Sequence, residues 1–403
     1  MERSLIRPFE PSDLPEVAIM FLKAFRGRTA AAPTSLIEHM RDVYFGHPAY
    51  DRRMGSLVHL RLDGAIDGFI GAFPQPLMLS GRALRGVVTG GFMVDDPAAN
   101  PITGARLVRR LLNGPQDVTI TDTANRRSLD FQRVLGCETL DLQSLQWTKI
   151  LEPASYVLSL LDVRTGRLPM MPLRPLARLL DRVRVEKAQY HPIQARSGWR
   201  DADIDVESFA SIFERFAGEF DLRPSWTRSE LLWLLDQASR KTKFGSLFIR
   251  GVQRCTGETV GAYLYFGRRR SEAMTLQIAA RPEAAEVVLE SLFAHAAAMG
   301  CTVVRGTAQP FLMPGLFRND RIVFRHASGT HLHARDADLL RIIRSGRVLV
   351  GGLVGEGWTR LVSDEFAEDG PKGKIGGKIA GKLARACEMA LWPSRRAPVK
   401  RPL

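Results

Sequence analysis

One order of sequence signals occurs twice in this chain, and that repetition limits what it can fold into. The first run starts with a short strand, SLIRP (residues 4–8), and a helix, SDLPEVAIMFLKAF, capped by Ser12. In that helix Val17, Phe21, Leu22 and Phe25 recur at helical spacing. A second helix is expected from Ser35 to Tyr44. Strands SLVHLRL and AIDGFIGAF follow across an Asp63-Gly64 turn, with a strand near Gln75–Leu79 and another, RGVVTGGFMV. A helix Ala105–Leu112, a strand DVTITD, a helix Asn125–Leu135 and a strand LQSLQWTKIL complete the run. From residue 200 the order restarts. Helices IDVESFASIFERFAGEF and WTRSELLWLLDQASR precede a hairpin around Thr256-Gly257, then AMTLQIAA, the helix EAAEVVLESLFAHAAAMG and the strand CTVVRGTA. A short helical piece, FLMPGLFRN, and the strands IVFRHA and HLHARD close it. Strand meanders that feed strand–helix–strand units predict an α/β (α+β) mixed sheet with helices on both faces, built twice.

The expected boundaries follow. Residues 1–150 and 200–365 form the two copies. A Pro/Leu/Arg-rich linker with one basic amphipathic helix covers 151–199, and 366–403 form a basic tail disordered in water. The chain has 403 residues and a net charge of +14, which favours anionic partners. Between residues 371 and 403 nine Lys/Arg face one acid, Glu388, so the tail alone carries +8. Ile375, Ile379 and Leu383 recur every four residues beside Lys374, Lys378 and Lys382, ending at Trp392. That pattern fits a solvated tail first, and next an interfacial segment for an anionic membrane surface; without interleaved aromatics nucleic acid is the weakest partner. Cys137, Cys255, Cys301 and Cys387 lie far apart, and no run of about 18 apolar residues exists. The start, MERSLIRPFEPSDL, has no apolar signal core. A cytoplasmic protein, peripheral at the inner membrane face if the tail binds lipid, is expected.

Four stretches of the first copy resemble the GNAT superfamily of acyl-CoA N-acyltransferases. "IRPFEPSDLPEVAIMFLKAF" looks like its opening strand and helix, and "VVTGGFMVDDP" like its central strand. "TGARLVRRLLNG" looks like the helix after the pyrophosphate loop, and "ITDTANRRSLDFQRVLGCETL" like the later strand and helix. The resemblance implies tandem GNAT-like domains that transfer an acyl group, acetyl in the first instance, from acyl-CoA to an amine without a covalent enzyme intermediate. It further implies cofactor contacts from Met93, Val94, Thr103, Gly104, Ala105, Arg106, Arg109, Asn125 and Arg126, and no metal. A helix N-terminus with open N–H groups and a positive dipole end suits a diphosphate.

The chain departs from the family pattern here. The usual Gln/Arg-x-x-Gly-x-Gly/Ala falls on Ala99, Ile102 and Gly104, or two residues later on Pro101, Gly104 and Arg106, and neither register restores it. Pro101 has no N–H to offer. Arg106, Arg109, Arg110, Arg126 and Arg127 could supply the missing cations, or be solvated helix faces. The tyrosine that many members use as acid falls on Gln132, beside Phe131. Asp95, Asp96 and Asp122, at strand ends, are the candidate bases, and each also suits a turn or cap. The second copy's loop, AARPEAAEVV, carries two glutamates at the helix start that would repel a diphosphate. Trp226, Trp233, Tyr263 and Tyr265 fit a pocket wall or a core. His326, His331 and His333 lack acidic or cysteine partners at ligand spacing. A catalytically inactive binding or scaffold protein of the same fold is the alternative.

Overall fold

The computed structural model describes residues 5–98, 100–158, 176–177, 198–345 and 347–366. The basic tail and nearly all of the linker's amphipathic stretch lie outside the described residues. The first copy contains β1 (Leu5–Pro8), helices α1 (Leu14–Arg26) and α2 (Thr34–Phe45), β2 (Leu57–Leu60), β3 (Ile66–Leu79) and β4 (Arg82–Val94). Helix α3 (Pro101–Leu112), β5 (Val118–Ala124), α4 (Arg126–Val134), β6 (Glu138–Thr139) and β7 (Leu145–Ile150) follow. The second copy contains β8 (Trp199–Asp203), α5 (Val206–Ala217), β9 (Leu222–Pro224), α6 (Arg228–Ser239), β10 (Ser246–Arg254), β11 (Thr259–Gly267) and β12 (Glu272–Ala280). It continues through α7 (Ala285–Ala298), β13 (Val303–Thr307), α8 (Met313–Arg318), β14 (Ile322–His326), β15 (Gly329–Ala334) and α9 (Ala337–Arg344).

The strands form two mixed sheets, and the copies exchange their closing strands. The first sheet runs β1-β2-β3-β4-β5-β15-β6, with β9 also on β3; the second runs β14-β7-β13-β12-β11-β10-β8. Sequence order puts LQSLQWTKIL at the end of the first copy, yet β7 pairs with β13 and β14 in the second sheet. In return β15 of the second copy pairs with β5 and β6. Each sheet is therefore completed by the other half of the chain.

Two local differences from the sequence reading have clear causes. Residues 66–79 form one strand rather than two, although Pro74 and Pro76 interrupt it. Neighbour β2 pairs only as far as Ile70 and β9 only from Leu77, so both prolines face an open edge. The carbonyl of Pro76 accepts from Ser225 N on that side, so its missing N–H costs no ladder bond. Helix α1 begins at Leu14 and not behind Ser12. A 3-10 turn, Pro11–Asp13, leads into it from Glu10; the Asp13 carboxylate closes that turn by accepting from Glu10 N (2.9 Å) and from both terminal nitrogens of Arg7 (2.7 and 2.8 Å).

Helices α1 and α2 cover one face of the first sheet, packing Phe21, Met40 and Tyr44 against Phe69, Phe73 and Val88. Helix α3 covers the opposite face, placing Leu107, Val108 and Leu111 on Ile70, Ala72 and Val87. After α9 the chain crosses between the sheets as a strap, residues 347–366, most of it buried. Its Trp358 stands edge-on to Phe73 of the first copy (5.7 Å) and Trp233 of the second (5.2 Å). One aromatic thus joins both cores.

Candidate active site

Strand β4 is bulged. Phe69 faces Met93 and Gly71 faces Gly90, so two steps on β3 match three on β4, with Gly91 at φ +67°. Strand β5 pairs in parallel with β4 only from Gly86–Val118 to Val88–Ile120. The hydroxyls of Thr89 and Thr121 still meet at 2.6 Å, and past them no pairing is made. A gap therefore opens between the two strand ends. Gly90 and Asp122 lie two residues beyond Val88 and Ile120, on the face that α1 and α2 cover.

Three segments of the chain converge on this gap. From α2, the Tyr44 hydroxyl fills the space that side chains at Gly71 and Gly91 would take, 2.7 and 2.8 Å from their ideal Cβ positions. From the strap, the Glu356 carboxyl lies so close to Gly90 that a Cβ there would overlap it, and Gly355 leaves the same clearance for the Asp122 carboxyl. Glu356 N donates to both Asp122 oxygens at 3.3 Å. From the turn after α6, Lys241 Nζ donates to the carbonyls of Gly357 (2.9 Å) and Thr359 (3.0 Å). Lys241 and Glu356 are each only 4% exposed.

Burial governs the protonation of this cluster. It pushes the Asp122 carboxyl up to about 6, against the opposing pull of the Glu356 N–H and the Lys241 charge. Glu356 is raised well above the usual carboxylate range by burial and then by the neighbouring Asp122 charge. Burial lowers Lys241 to about 8, although Asp364, Glu356 and Asp122 favour its ammonium. Burial likewise raises Tyr44, whose hydroxyl has no hydrogen bond among the described residues.

The strap is fastened beyond Glu356. Arg26 donates to the carbonyls of Leu361 (3.1 Å) and Asp364 (3.0 Å). The Asp364 carboxylate accepts from Thr242 N, Thr242 Oγ1 and Lys243 N at 2.7, 3.1 and 3.1 Å. His39 Nε2 accepts from Arg360 N at 3.2 Å, and burial holds this imidazole near 3.

The other residues singled out from the sequence surround the gap. Met93 is buried and Val94 half-buried at the end of β4. Asp95 is ion-paired with Lys23 (2.6 Å), and Asp96 Oδ1 accepts from Ala98 N at 3.1 Å, so these two shape the loop. Thr103 packs its methyl over Gly68, where a Cβ would lie 2.8 Å away, and Gly104 leaves room for the Phe92 ring, 3.0 Å from its ideal Cβ. The glycine thus seats the start of α3 closely on the end of β4. Half-buried Ala105 and exposed Arg106 and Arg109 follow along α3. Asn125 caps α4, its Oδ1 accepting from Ser128 N at 3.0 Å, and Arg126 opens that helix. The sequence reading missed Tyr44, Lys241 and Glu356. The paired glycines at 90–91 inside an apolar strand and the Gly355-Glu356-Gly357 run were the available signals.

The second sheet has the matching gap, narrowed to a small cavity lined by Trp147, Thr275, Gln277, Gln309 and Gly351. Strand β13 pairs with β12 only from Val303 to Arg305. Beyond it the Trp147 ring packs on Gly306, while Gln309 Nε2 donates to Val350 O (2.7 Å) on the strap. The start of α7 is covered by α8: an ideal Cβ on Gly315 lies 2.9 Å from Glu286 Cα, and Arg318 pairs with Glu286 at 2.7 Å. Tyr263 and Tyr265 are core residues, bonded to Asp201 and His295 at 2.7 Å each. Trp233 belongs to the interface between the copies, and Trp226 lines a surface groove with Met78 and Phe213. His331 and His333 share a small cavity with Cys137 and Gln132 behind the first sheet.

The two sheets, the bulged fourth strand and the helix seated on it define a tandem GNAT fold. Solved structures agree. A GCN5-related N-acetyltransferase from Anabaena variabilis superposes with a TM-score of 0.55 at 8% identity, covering 83% of this chain and 73% of that one. A probable N-acyltransferase from Enterococcus faecalis gives 0.52 at 9% identity, covering 82% and 73%. A GCN5-related N-acetyltransferase from Kribbella flavida gives 0.50 at 13%, covering 83% and 72%. No protein-family model matches the chain, and no curated protein matches its sequence.

Proposed function

We propose that this protein transfers an acyl group, acetyl in the first instance, from acyl-CoA to an amine, with the first copy holding the cofactor. The observation that carries this reading is the β4–β5 gap, with a carboxyl of raised pKa at its edge. The thioester arm would enter the gap, and the diphosphate would lie at the start of α3. There Met93, Val94, Thr103, Gly104 and Ala105 form the seat, and Arg106, Arg109, Asn125 and Arg126 border it. The second sheet, whose loop into α7 carries glutamates and is covered by α8, serves as a wall and as the support for the strap. The reaction needs no metal in this reading.

Of the three aspartates, Asp122 is the base we assign. A carboxyl near 6 is largely ionised at neutral pH, yet basic enough to accept a proton from an attacking amine. The amine nitrogen bonds the thioester carbon as its proton passes to Asp122, and the carbon–sulfur bond breaks. Asp95 and Asp96 hold the loop through the contacts described above. Calorimetry with acetyl-CoA and longer acyl-CoAs tests the binding claim. Binding that weakens in Arg106→Glu with Arg109→Glu is expected, and unchanged binding would overturn the placement. One observation favours a second reading, a GNAT-fold binding protein without turnover: Pro101 begins α3 and offers no N–H. Thiol release from an acyl-CoA with any amine would exclude that reading. Residues 371–403 could tether either form to an anionic membrane, which flotation with phosphatidylserine vesicles, with and without the tail, decides.

A further inference from the structure

We infer that Glu356, delivered by the C-terminal strap, is the proton donor of the same site, so that the acid–base unit is a carboxyl pair drawn from both halves of the chain. The inference rests on the acyltransfer reading above and adds a residue and a role to it. Three observations carry it. First, Glu356 has been brought to the bulge at a structural cost: position 90 must be glycine to admit its carboxyl, and position 355 must be glycine to admit Asp122. Second, the two acids are held in register, because the backbone N–H of one donates to the carboxylate of the other. Third, the strap is anchored on its far side by Arg26, Lys241 and Asp364, which fixes where Glu356 stands.

Two carboxyls in one buried site do not both ionise, so the pair keeps a proton at neutral pH. The Lys241 ammonium acts on both carboxyls, but Asp122 also accepts the Glu356 N–H, while Glu356 is the less exposed residue and faces the Asp122 charge. The groups around Glu356 are Asp122 on β5, Tyr44 on α2 and Lys241 after α6, with Asp364 of the strap beyond the lysine. The retained proton therefore sits on Glu356. Divergent environments for two adjacent acids mark one as base and the other as acid.

The balance closes over one turnover. The amine nitrogen bonds the thioester carbon and its proton goes to Asp122. The carbon–sulfur bond breaks, and the electron pair on sulfur takes the Glu356 proton, releasing free CoA thiol. Asp122 then returns its proton to Glu356, and the pair is reset. Lys241 is a positioning residue: it holds the two carbonyls that follow Glu356.

The test uses the full chain with acetyl-CoA and hydroxylamine, a small amine able to enter a confined site, read as thiol release above the rate of the same mixture without protein. Glu356→Gln should lower kcat about 10²- to 10⁴-fold, the usual range for losing one acid or base, and leave the KM for acetyl-CoA unchanged. The alkaline limb of the wild-type pH profile should vanish with it. Infrared spectra at neutral pH should show a protonated-carboxyl C=O stretch in the wild type that Glu356→Gln lacks and Asp122→Asn keeps. Glu356→Asp, which keeps a carboxyl, separates a folding defect from a lost proton: it should restore the band and part of kcat. Equal kcat in wild type and Glu356→Gln, or a band that survives Glu356→Gln, overturns the inference while the acyltransfer reading stands. No thiol release above that background from the wild type overturns the acyltransfer reading itself.

Discussion

Replacing Asp122 by Asn should make the protein more stable near neutral pH while removing its activity. In the folded state burial raises the Asp122 carboxyl from 3.8 to about 6. A folded-state pKa above the unfolded one means that the native protein binds this proton more tightly. The associated stability is fully present below about pH 4 and is lost as pH rises through 6. The step corresponds to a penalty on the order of 3 kcal/mol once the group is ionised in both states. Asparagine keeps the shape and an oxygen to accept the Glu356 N–H, but carries no charge to desolvate. Buried His39 and His47, held near 3 and 4, pull the wild-type curve the other way, since their protonation in the unfolded state lowers stability below about pH 6.5. Only the difference between wild type and variant isolates Asp122. Denaturant unfolding of both proteins at half-unit intervals from about pH 4 to 7.5 supplies it. The stability of Asp122→Asn relative to wild type should rise by up to about 3 kcal/mol across that range. Parallel curves, or a variant that falls behind above pH 6, would refute the assignment of a buried, charge-stressed carboxyl.

Three further outcomes follow from the strap. Gly90→Ala would force a methyl group into the Glu356 carboxyl and to 3.0 Å from the Phe73 ring, so thermal unfolding should show a loss of about 1–3 kcal/mol together with lost turnover. Asp364→Ala would leave Thr242 N, Lys243 N and the Thr242 hydroxyl without their acceptor, and denaturant unfolding should show a loss of about 2–4 kcal/mol. His39 should remain neutral by NMR down to about pH 4, its Nδ1 carrying the proton because Nε2 accepts from Arg360.

Much of the fold was legible because its signals are local. The spacing of Val17, Phe21 and Leu22, the Asp63-Gly64 turn and the strand–loop–helix around Gly104 each describe their own element. The exchange of β7 and β15 was not legible, because LQWTKI has the same strand pattern whichever sheet it joins. Pro74 and Pro76 read as a break because the sequence does not show which edge of the strand is open. For the site, Asp122 could be singled out by its place at a strand end. Its partners could not: Lys241 and Glu356 are 115 residues apart in the chain, and only the crossing of the strap brings them to the gap. The tyrosine expected four residues before Gly136 is absent, yet a tyrosine hydroxyl reaches the bulge from α2.

The most direct test is a crystal structure of the protein grown with acetyl-CoA. The diphosphate should lie at the start of α3, and the thioester should pass between β4 and β5, with its carbonyl carbon beside Gly90 and within reach of Asp122 and Glu356. A cofactor bound instead at the second sheet, or a thioester lying outside the β4–β5 gap at saturating acetyl-CoA, would contradict the proposed site.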